Sequence, residues 1–511
     1  MSSQAGAARG PGMGPGGRKM PDLTTGPIGK TLILFALPVM GSNILQSLNG
    51  TANAVWVSHV LGEAALTAIS NSNQIFFLML GAMFGMSMAA NIMIGQAVGA
   101  GDRDMARRVV GTATVFFLLL STLIGVAGYH LTPAILTGMA TPPDAKRDAI
   151  AYLRVIFTAI PIVYGFAFLM MAQRGAGDSR TPFYFSLVAV LLEVTLNPLL
   201  IIGVGPFPKL DIVGSATATL IAQSTTLTVM VIHLYRRKSI LMLTPAEWRA
   251  FRPDWQVVRN LVFKGLPMAF QMIVISLAAV TMMSLVNGYG STTAAAYGAA
   301  VQVWTYVQMP AMALGAAVSS MAAQNVGAGN MDRVSKIAKT GVLYAAVFSA
   351  TPIVIIYLLD PFILQAFLPA GSAALPIAVH INSIVLWGFI PFGMAFIFSG
   401  IVRATGAVWP PLIAMIIALW GFRVPLANLL EPTLGADAVW IAFPVGSLVS
   451  LALSAAYYRW GGWRKSRMLP TMPHGEAADT GMAPPSGVEE SEVAAEAATR
   501  TSPSAPSKPA S

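Results

Sequence analysis

The chain has 511 residues, 55% of them hydrophobic and only 10% charged, whereas an ordinary soluble domain carries about 25% charged residues; it cannot clothe itself in a water-soluble surface. The formal net charge of +10 does not mark a nucleic-acid partner, because the basic residues are dealt out singly between apolar runs and form no stripe interleaved with aromatics. Cysteine is absent, which excludes a disulfide framework, thiol catalysis and cysteine metal sites.

Residues 1–25 are rich in Gly, Ala and Pro and lack the apolar core of a cleavable signal peptide. They read as a disordered cytoplasmic tail, with the first apolar span as an uncleaved insertion signal. Apolar spans then fall at about 30–56, 65–95, 109–135, 149–173, 181–204, 212–235, 260–288, 293–325, 337–359, 375–402, 409–431 and 437–459, each able to cross a hydrocarbon core of about 30 Å as a helix. A β-barrel would show segments of about 10 residues in strict alternation. The expected fold is therefore all-α and polytopic, with twelve transmembrane helices. Residues 461–511, rich in Pro, Ala, Ser and Glu, bury too little apolar area to offset their ordering entropy and read as a second disordered cytoplasmic tail.

Of the 31 lysines and arginines, only Lys146, Arg147 and Lys209 fall in the odd-numbered loops. The even-numbered loops and the tails hold nearly all the others, so the positive-inside rule places both termini in the cytoplasm. The longest charged stretch, residues 236–259, divides the spans into a first lobe at 26–235 and a second at 260–460. The two lobes repeat one another. Gln96 and the Val98-Gly99-Ala100-Gly101 after it recur 228 residues later as Gln324 and Val326-Gly327-Ala328-Gly329, and Gln74 maps to Gln302 by the same shift. Arg174, Gly177 and Pro182 map to Arg403, Gly406 and Pro411 at 229. Six-helix repeats insert in the same orientation, so the lobes should be two pseudo-symmetric bundles with a cleft between them for a small-molecule substrate. The Gly-Ala-Gly loops are expected to cap helices, with Asp102 and Asn330 starting the next ones.

Glu193 lies about 18 Å along the fifth span by the usual helical rise, inside an apolar run, and an intramembrane acid is a functional-site hypothesis by default. It could bind and release a proton, or offer an oxygen ligand to sodium when ionised. His380 and Arg423 are further polar residues within spans that could face the substrate cleft, with packing and a link to backbone carbonyls as their plainer roles. Methionines such as Met272, together with Gln74, Gln302, Trp304 and Tyr306, would suit a cleft that accepts varied amphipathic ligands.

Several stretches carry a family resemblance in order. These are Asn53 to Gly62, the two Gln-x-Val-Gly-Ala-Gly loops, Arg174 to Pro182, Leu196-Asn197-Pro198-Leu199-Leu200-Ile201, Gly214 to Thr219, and Arg423-Val424-Pro425-Leu426. From about Gly26 to Arg464 the chain resembles the multidrug and toxic compound extrusion (MATE) family of cation-coupled efflux antiporters. The resemblance implies that Asn53, Tyr152, Asn197 and Thr219 form, with Glu193, a cation site in the first lobe. Many prokaryotic members carry an aspartate where this chain has Asn53, and Asn-x-x-x-Asp-Pro where it has Glu193-x-x-x-Asn197-Pro198, so the carboxylate has moved by one helical turn. Other branches place acids on the seventh and tenth spans; Gly265 to Ser276 and Phe392 to Arg403 contain none. The second lobe is therefore expected to supply no acid, and H+ is favoured over Na+.

What the resemblance implies is export of amphipathic or cationic compounds from a bacterial inner membrane by a monomer embedded in the lipid bilayer, in exchange for H+ or Na+. A flippase for a lipid-linked precursor is the alternative within the superfamily, and a channel or nontransporting sensor the alternative outside it. No nucleotide-binding motif, metal cluster or activated nucleophile points to an enzyme, and no cofactor is expected.

Overall fold

The structure, a computed structural model, describes residues 22–61, 63–139, 141–242, 252–369 and 371–469. Twelve long helices follow one another: α1 (Ile28–Leu61), α2 (Glu63–Gly99), α3 (Arg103–Gly138), α4 (Pro143–Gly175), α5 (Arg180–Ile202), α6 (Asp211–Arg236), α7 (Trp255–Asn287), α8 (Ser291–Gly327), α9 (Met331–Leu364), α10 (Ala374–Ala404), α11 (Trp409–Leu434) and α12 (Asp437–Trp460). Eleven of the described helices are long and apolar enough to cross a membrane. The twelfth, α8, spans 37 residues without a single Asp, Glu, Lys or Arg and is diluted by Ala, Ser, Thr and Gln. Helices are what these runs must form, since lipid offers no partner to backbone N–H and C=O groups.

Polar residues cap three of the helices. Asp102 Oδ1 accepts from Met105 N at 2.8 Å and starts α3. Asp254 Oδ1 accepts from Gln256 N at 2.9 Å, so α7 begins at Trp255, inside the expected 236–259 linker. Asp178 Oδ1 accepts from the backbone N–H groups of Arg180 and Thr181 at the head of α5. Asn330 precedes α9 without a side-chain cap. Two helices are irregular: α10 tightens into a 3₁₀ turn at Leu386–Gly388, and α11 widens into a π-helical stretch at Ile417–Arg423.

Both expected tails are shorter than their composition suggests. Leu23 is buried, and Asn325 Nδ2 donates to its carbonyl at 3.0 Å. Beyond α12, Trp463 and Met468 are buried, and Trp463 Nε1 donates to the Tyr458 carbonyl at 2.7 Å. Residues 22–25 and 461–469 thus belong to the packed bundle, because each short segment carries one or two large apolar side chains. The disorder expected for 1–21 and 470–511, and the linker residues 243–251, lie outside the described residues.

The repeat is visible in the backbone. Gly101 and Gly329 share φ values of +74° and +75°, and Gly177 and Gly406 share +96° and +99°, left-handed conformations that a Cβ disfavours. The halves meet through a crossed pair of amides: Gln96 Nε2 donates to the Ala404 carbonyl at 2.7 Å, and Gln324 Nε2 donates to the Gly175 carbonyl at 2.9 Å. Their Oε1 atoms accept from Leu469 N and Leu23 N, each at 3.4 Å. Here a Cβ on Gly99 would overlap the Gln324 carbonyl, and one on Gly327 the Gln96 carbonyl. Further along, α2 crosses α7 where Gly85 faces the Ala269 backbone.

The apolar core follows the same geometry. One continuous cluster runs through the first half and takes in the second half only near this junction, with Ala313 to Val326 on α8, Val334 to Ala345 on α9 and Ile397 to Val408 from α10 onward. The other end of the second half has its own cluster around Trp304, Phe389 and Trp440.

Overpacking a tight contact costs about 1–3 kcal/mol, enough to shift a two-state equilibrium by about 5- to 150-fold. Gly99→Val and Gly327→Val are each expected to separate the halves at the amide junction. With cysteines placed at the exposed positions Asp104 and Asp332 of this cysteine-free chain, paired spin labels should report a longer distance in either variant. An unchanged distance distribution would show that this contact does not hold the end closed.

Candidate functional site

Four helices of the first half bring polar side chains to one point between them. Glu193 on α5 is 6% exposed, and its Oε1 accepts from Thr219 Oγ1 on α6 at 2.6 Å. A second side-chain donor is Asn49 on α1. One turn along α5, Asn197 Nδ2 donates to Asn53 Oδ1 at 2.9 Å, and Ser215 Oγ on α6 donates to the same oxygen at 2.7 Å. The Tyr152 side chain on α4 is buried against Asn53, Ser215 and Glu193. Pro198 lacks an N–H for the Val194 carbonyl, so the α5 backbone is interrupted beside the carboxylate.

All five residues singled out from the sequence, Asn53, Tyr152, Glu193, Asn197 and Thr219, therefore meet in one cluster. Sequence reasoning passed over Asn49 and Ser215. Both were within reach of it: Asn49 lies one turn before Asn53, and Ser215 one turn before Thr219, so each pair shares a helix face.

Electrostatically the cluster is one-sided. The partners of Glu193 are neutral hydrogen-bonding groups, and the salt bridges among the described residues lie elsewhere, at Lys209 with Asp211 and His380 with Asp437. No group of three or more His, Asp or Glu residues among the described residues could hold a metal ion. Asn53 Oδ1 already accepts two hydrogen bonds, while the buried Asn197 Oδ1 accepts none. The arrangement can hold a carboxyl group in either charge state, provided that positive charge arrives from outside.

The residues expected in the cleft divide. Gln74 on α2 and Gln302 and Tyr306 on α8 are exposed, and α8 packs on α9 and α10 on one side and on α1 and α2 on the other. Met272 stands at the α2–α7 crossing against Gly81. Trp304 does not line a cleft: only 6% exposed, it is buried inside the second half among Tyr297, Phe389 and Phe443. Its indole N–H needs a partner in so apolar a setting, which fixes it inward. His380 is exposed and bonded to Asp437 on α12 at 2.9 Å. Arg423 stacks its guanidinium 4.7 Å above the Phe443 ring; a cation over an aromatic face replaces the expected link to backbone carbonyls.

The expectation that the second half supplies no acid is corrected. Asp360 on α9 is 3% exposed and accepts from Asn382 Nδ2 at 2.7 Å. It sits just past the apolar run 337–359, where the sequence reads as a helix end; α9 continues to Leu364 and carries it inside.

The sequence pattern of the MatE family matches residues 38–199 and again residues 267–429, once in each half. The chain is 36% identical over 441 residues to the probable multidrug resistance protein YoeA of Bacillus subtilis, covering 86% of this chain and 95% of that protein. It is 30% identical to the probable multidrug resistance protein YpnP of the same organism, covering 88% and 98%. A solved outward-facing conformation of a multidrug resistance MATE family transporter superposes with a TM-score of 0.80 at 21% identity, over 87% of this chain and 98% of that one, a likeness of fold. A double match across well over half its length, in the order the repeat requires, places this chain in the MATE family, and it is a multi-pass membrane transporter rather than an enzyme.

Proposed function

We propose that this transporter exports amphipathic, cationic compounds from a bacterial inner membrane in exchange for protons, with Glu193 as the proton carrier. The observation that supports it most is the setting of that carboxylate, buried and bonded only by neutral groups. An ionised acid so placed is expensive unless positive charge comes to it. A proton meets that need at the carboxylate itself. Sodium would need several oxygen ligands at once, and Asn53 Oδ1 is already committed to Asn197 and Ser215.

Protonation removes the charge that draws the hydrogens of Thr219 and Asn49. The helix then affected is α1, which carries Asn49 and Asn53 at one end. At its other end it packs on the second half, where a Cβ on Gly29 would overlap the Tyr344 hydroxyl of α9. Repacking around Glu193 thus reaches the second half through α1, and also through α4, which carries Tyr152 in the cluster and the Gly175 carbonyl at the amide junction. A change of state that binds one cation while releasing another, by rocking of two bundles, is alternating access. Cargo would occupy a cleft between the halves, with Gln74, Gln302, Tyr306 and Met272 offering polar tips and a polarisable thioether to varied ligands.

The orientation follows from charge. The end that carries the Gln96 and Gln324 junction also carries Arg103, Arg333 and Arg464, and we assign it to the cytoplasm. The cleft is then closed to the cytoplasm in this conformation. Cysteines introduced at Arg147 and Lys209 should react with a membrane-impermeant maleimide in intact cells, and cysteines at Asp104 and Asp332 only after permeabilisation. The reverse pattern would overturn the assignment.

Glu193→Gln keeps the hydrogen bonds and cannot exchange a proton. In proteoliposomes loaded with a fluorescent organic cation, with proton and sodium gradients imposed separately, the variant should lose at least about tenfold of its gradient-driven transport while remaining folded. Wild-type rates in the variant, or wild-type transport driven by sodium alone, would sink the reading.

A further inference from the structure

The second half holds a buried acid for which the function proposed above has no use. Asp360 lies one turn from the end of α9 and is followed by Pro361. Its Oδ1 accepts from Asn382 Nδ2 of α10 at 2.7 Å, and Asn382 Oδ1 accepts from Trp304 Nε1 of α8 at 2.9 Å. Asn382 has no exposed surface at all. Three side chains from three helices form one hydrogen-bonded chain, and both of its donors point toward the carboxylate.

Among the described residues no cation is paired with it. α8 carries no charged residue. On α9, Arg333, Lys336 and Lys339 lie at the opposite end of the helix, as Arg403 does on α10. α1 meets α9 at that far end too, by Gly29 and Tyr344. His380 of α10 is engaged with Asp437 of α12. Tyr297 of α8 packs on Trp440 and Trp304, and Arg423 of α11 lies over the Phe443 ring, which also stacks on Trp304, and acts on Tyr297. The titratable neighbour that remains is Tyr357, one turn earlier on α9, whose hydroxyl donates to the Ser383 carbonyl at 3.2 Å.

We propose that Asp360 is a second proton-binding site, in the second half, and that its occupancy is read through Asn382 by the indole of Trp304 and by the break in α10. The ionised carboxylate draws the Asn382 amide toward it, which aligns the Asn382 oxygen with the indole N–H. A proton taken from solvent turns one carboxyl oxygen into a donor, weakens the pull on Asn382 and releases Trp304; returning the proton to solvent restores the chain. The 3₁₀ turn at Leu386–Gly388 begins four residues after Asn382, and Gly388 lies so close to Pro444 and Phe443 of α12 that a Cβ there would stand 2.9 Å from Pro444 Cα. Motion at Asn382 is therefore delivered to the contact between α10 and α12. The use of this site in transport rests on the antiport reading, whereas proton binding and its detection at Trp304 do not.

The full chain, purified in detergent with 5-fluorotryptophan, gives a fluorine resonance for Trp304 that is identified by its loss in Trp304→Phe. That resonance should shift with pH in the wild type and in Glu193→Gln, and stay fixed in Asp360→Asn. Asn382→Leu should silence the Trp304 shift while a protonated-carboxyl infrared band, absent in Asp360→Asn, persists. A Trp304 resonance that ignores pH in the wild type overturns the proposal without recourse to any variant, as does one that titrates equally in Asp360→Asn or responds to sodium at fixed pH. In proteoliposomes Asp360→Asn should reduce proton-driven transport by about fivefold or more. Normal transport by Glu193→Gln would remove the first reading and leave the Trp304 titration standing.

Discussion

Two side-chain amides decide how the halves of this protein meet. Gln96 and Gln324 each reach across to a carbonyl at the end of a helix in the opposite half, and each accepts from the backbone of a chain segment outside the helical repeats. Three of these four bonds are buried, and a buried polar group without a partner costs about 1–3 kcal/mol. The junction therefore has two satisfied states, one dry and closed, the other open with water in place of the protein partners. Intermediate separations leave amide and carbonyl groups with neither. The glycines at 99 and 327 follow from the same constraint, since the carbonyls of Gln324 and Gln96 occupy the space that a side chain would need. A junction of this kind suits two bundles that rock as bodies more than helices that deform.

The cluster around Glu193 lies away from that junction; α4 reaches both, with Tyr152 in the cluster and the Gly175 carbonyl at the junction, while α1 joins the cluster to α9 of the second half. Its Asn49 and Asn53 take part in the cluster, while Gly41 packs on Phe183 of α5 and Gly29 on Tyr344 of α9. A helix transmits displacement along its length because its backbone hydrogen bonds are internal, whereas a loop would absorb it. The Asn53 oxygen, which accepts from both α5 and α6, makes α1 follow those helices when they shift. Glu193 is the carboxylate of the cluster, and in the proposed mechanism its protonation sets the state of the others.

The fold was largely legible in the sequence because lipid leaves so few choices. Apolar runs of this length can only be helices, and the exact spacing between Gln96 and Gln324 gave away the repeat before any coordinates did. The cluster was legible for a different reason: the family's motif order pointed to Asn53, Tyr152, Asn197 and Thr219, and Glu193 stood out as an acid within an apolar run. What stayed hidden depends on which way a side chain faces. Trp304 looked like an aromatic for the cleft, yet its partner Asn382 lies 78 residues away, and no local pattern foretells that pairing. Asp360 was missed because hydropathy alone ends the ninth span one residue too soon. The packed segments at 22–25 and 461–469 were masked by the composition of the longer tails to which they belong.

The repeat supplies the frame and leaves the chemistry unpaired. The position 229 residues after Glu193 is Phe422, and the one 228 residues before Asp360 is Thr132, so neither acid is an echo of the other. They share a physical condition instead. Each is nearly inaccessible, each is held by neutral amides or hydroxyls, and neither is paired with a cation among the described residues. A carboxylate that needed charge only for stability would be better served by a neighbouring arginine, and buried arginines are present: Arg174 and Arg403 occupy equivalent places in the two halves near the amide junction. Arg403 is bonded to the neutral Gln271 oxygen at 2.9 Å. Keeping the acids and the arginines apart leaves both carboxylates without a fixed counter-charge, the condition that the proposed proton exchange requires.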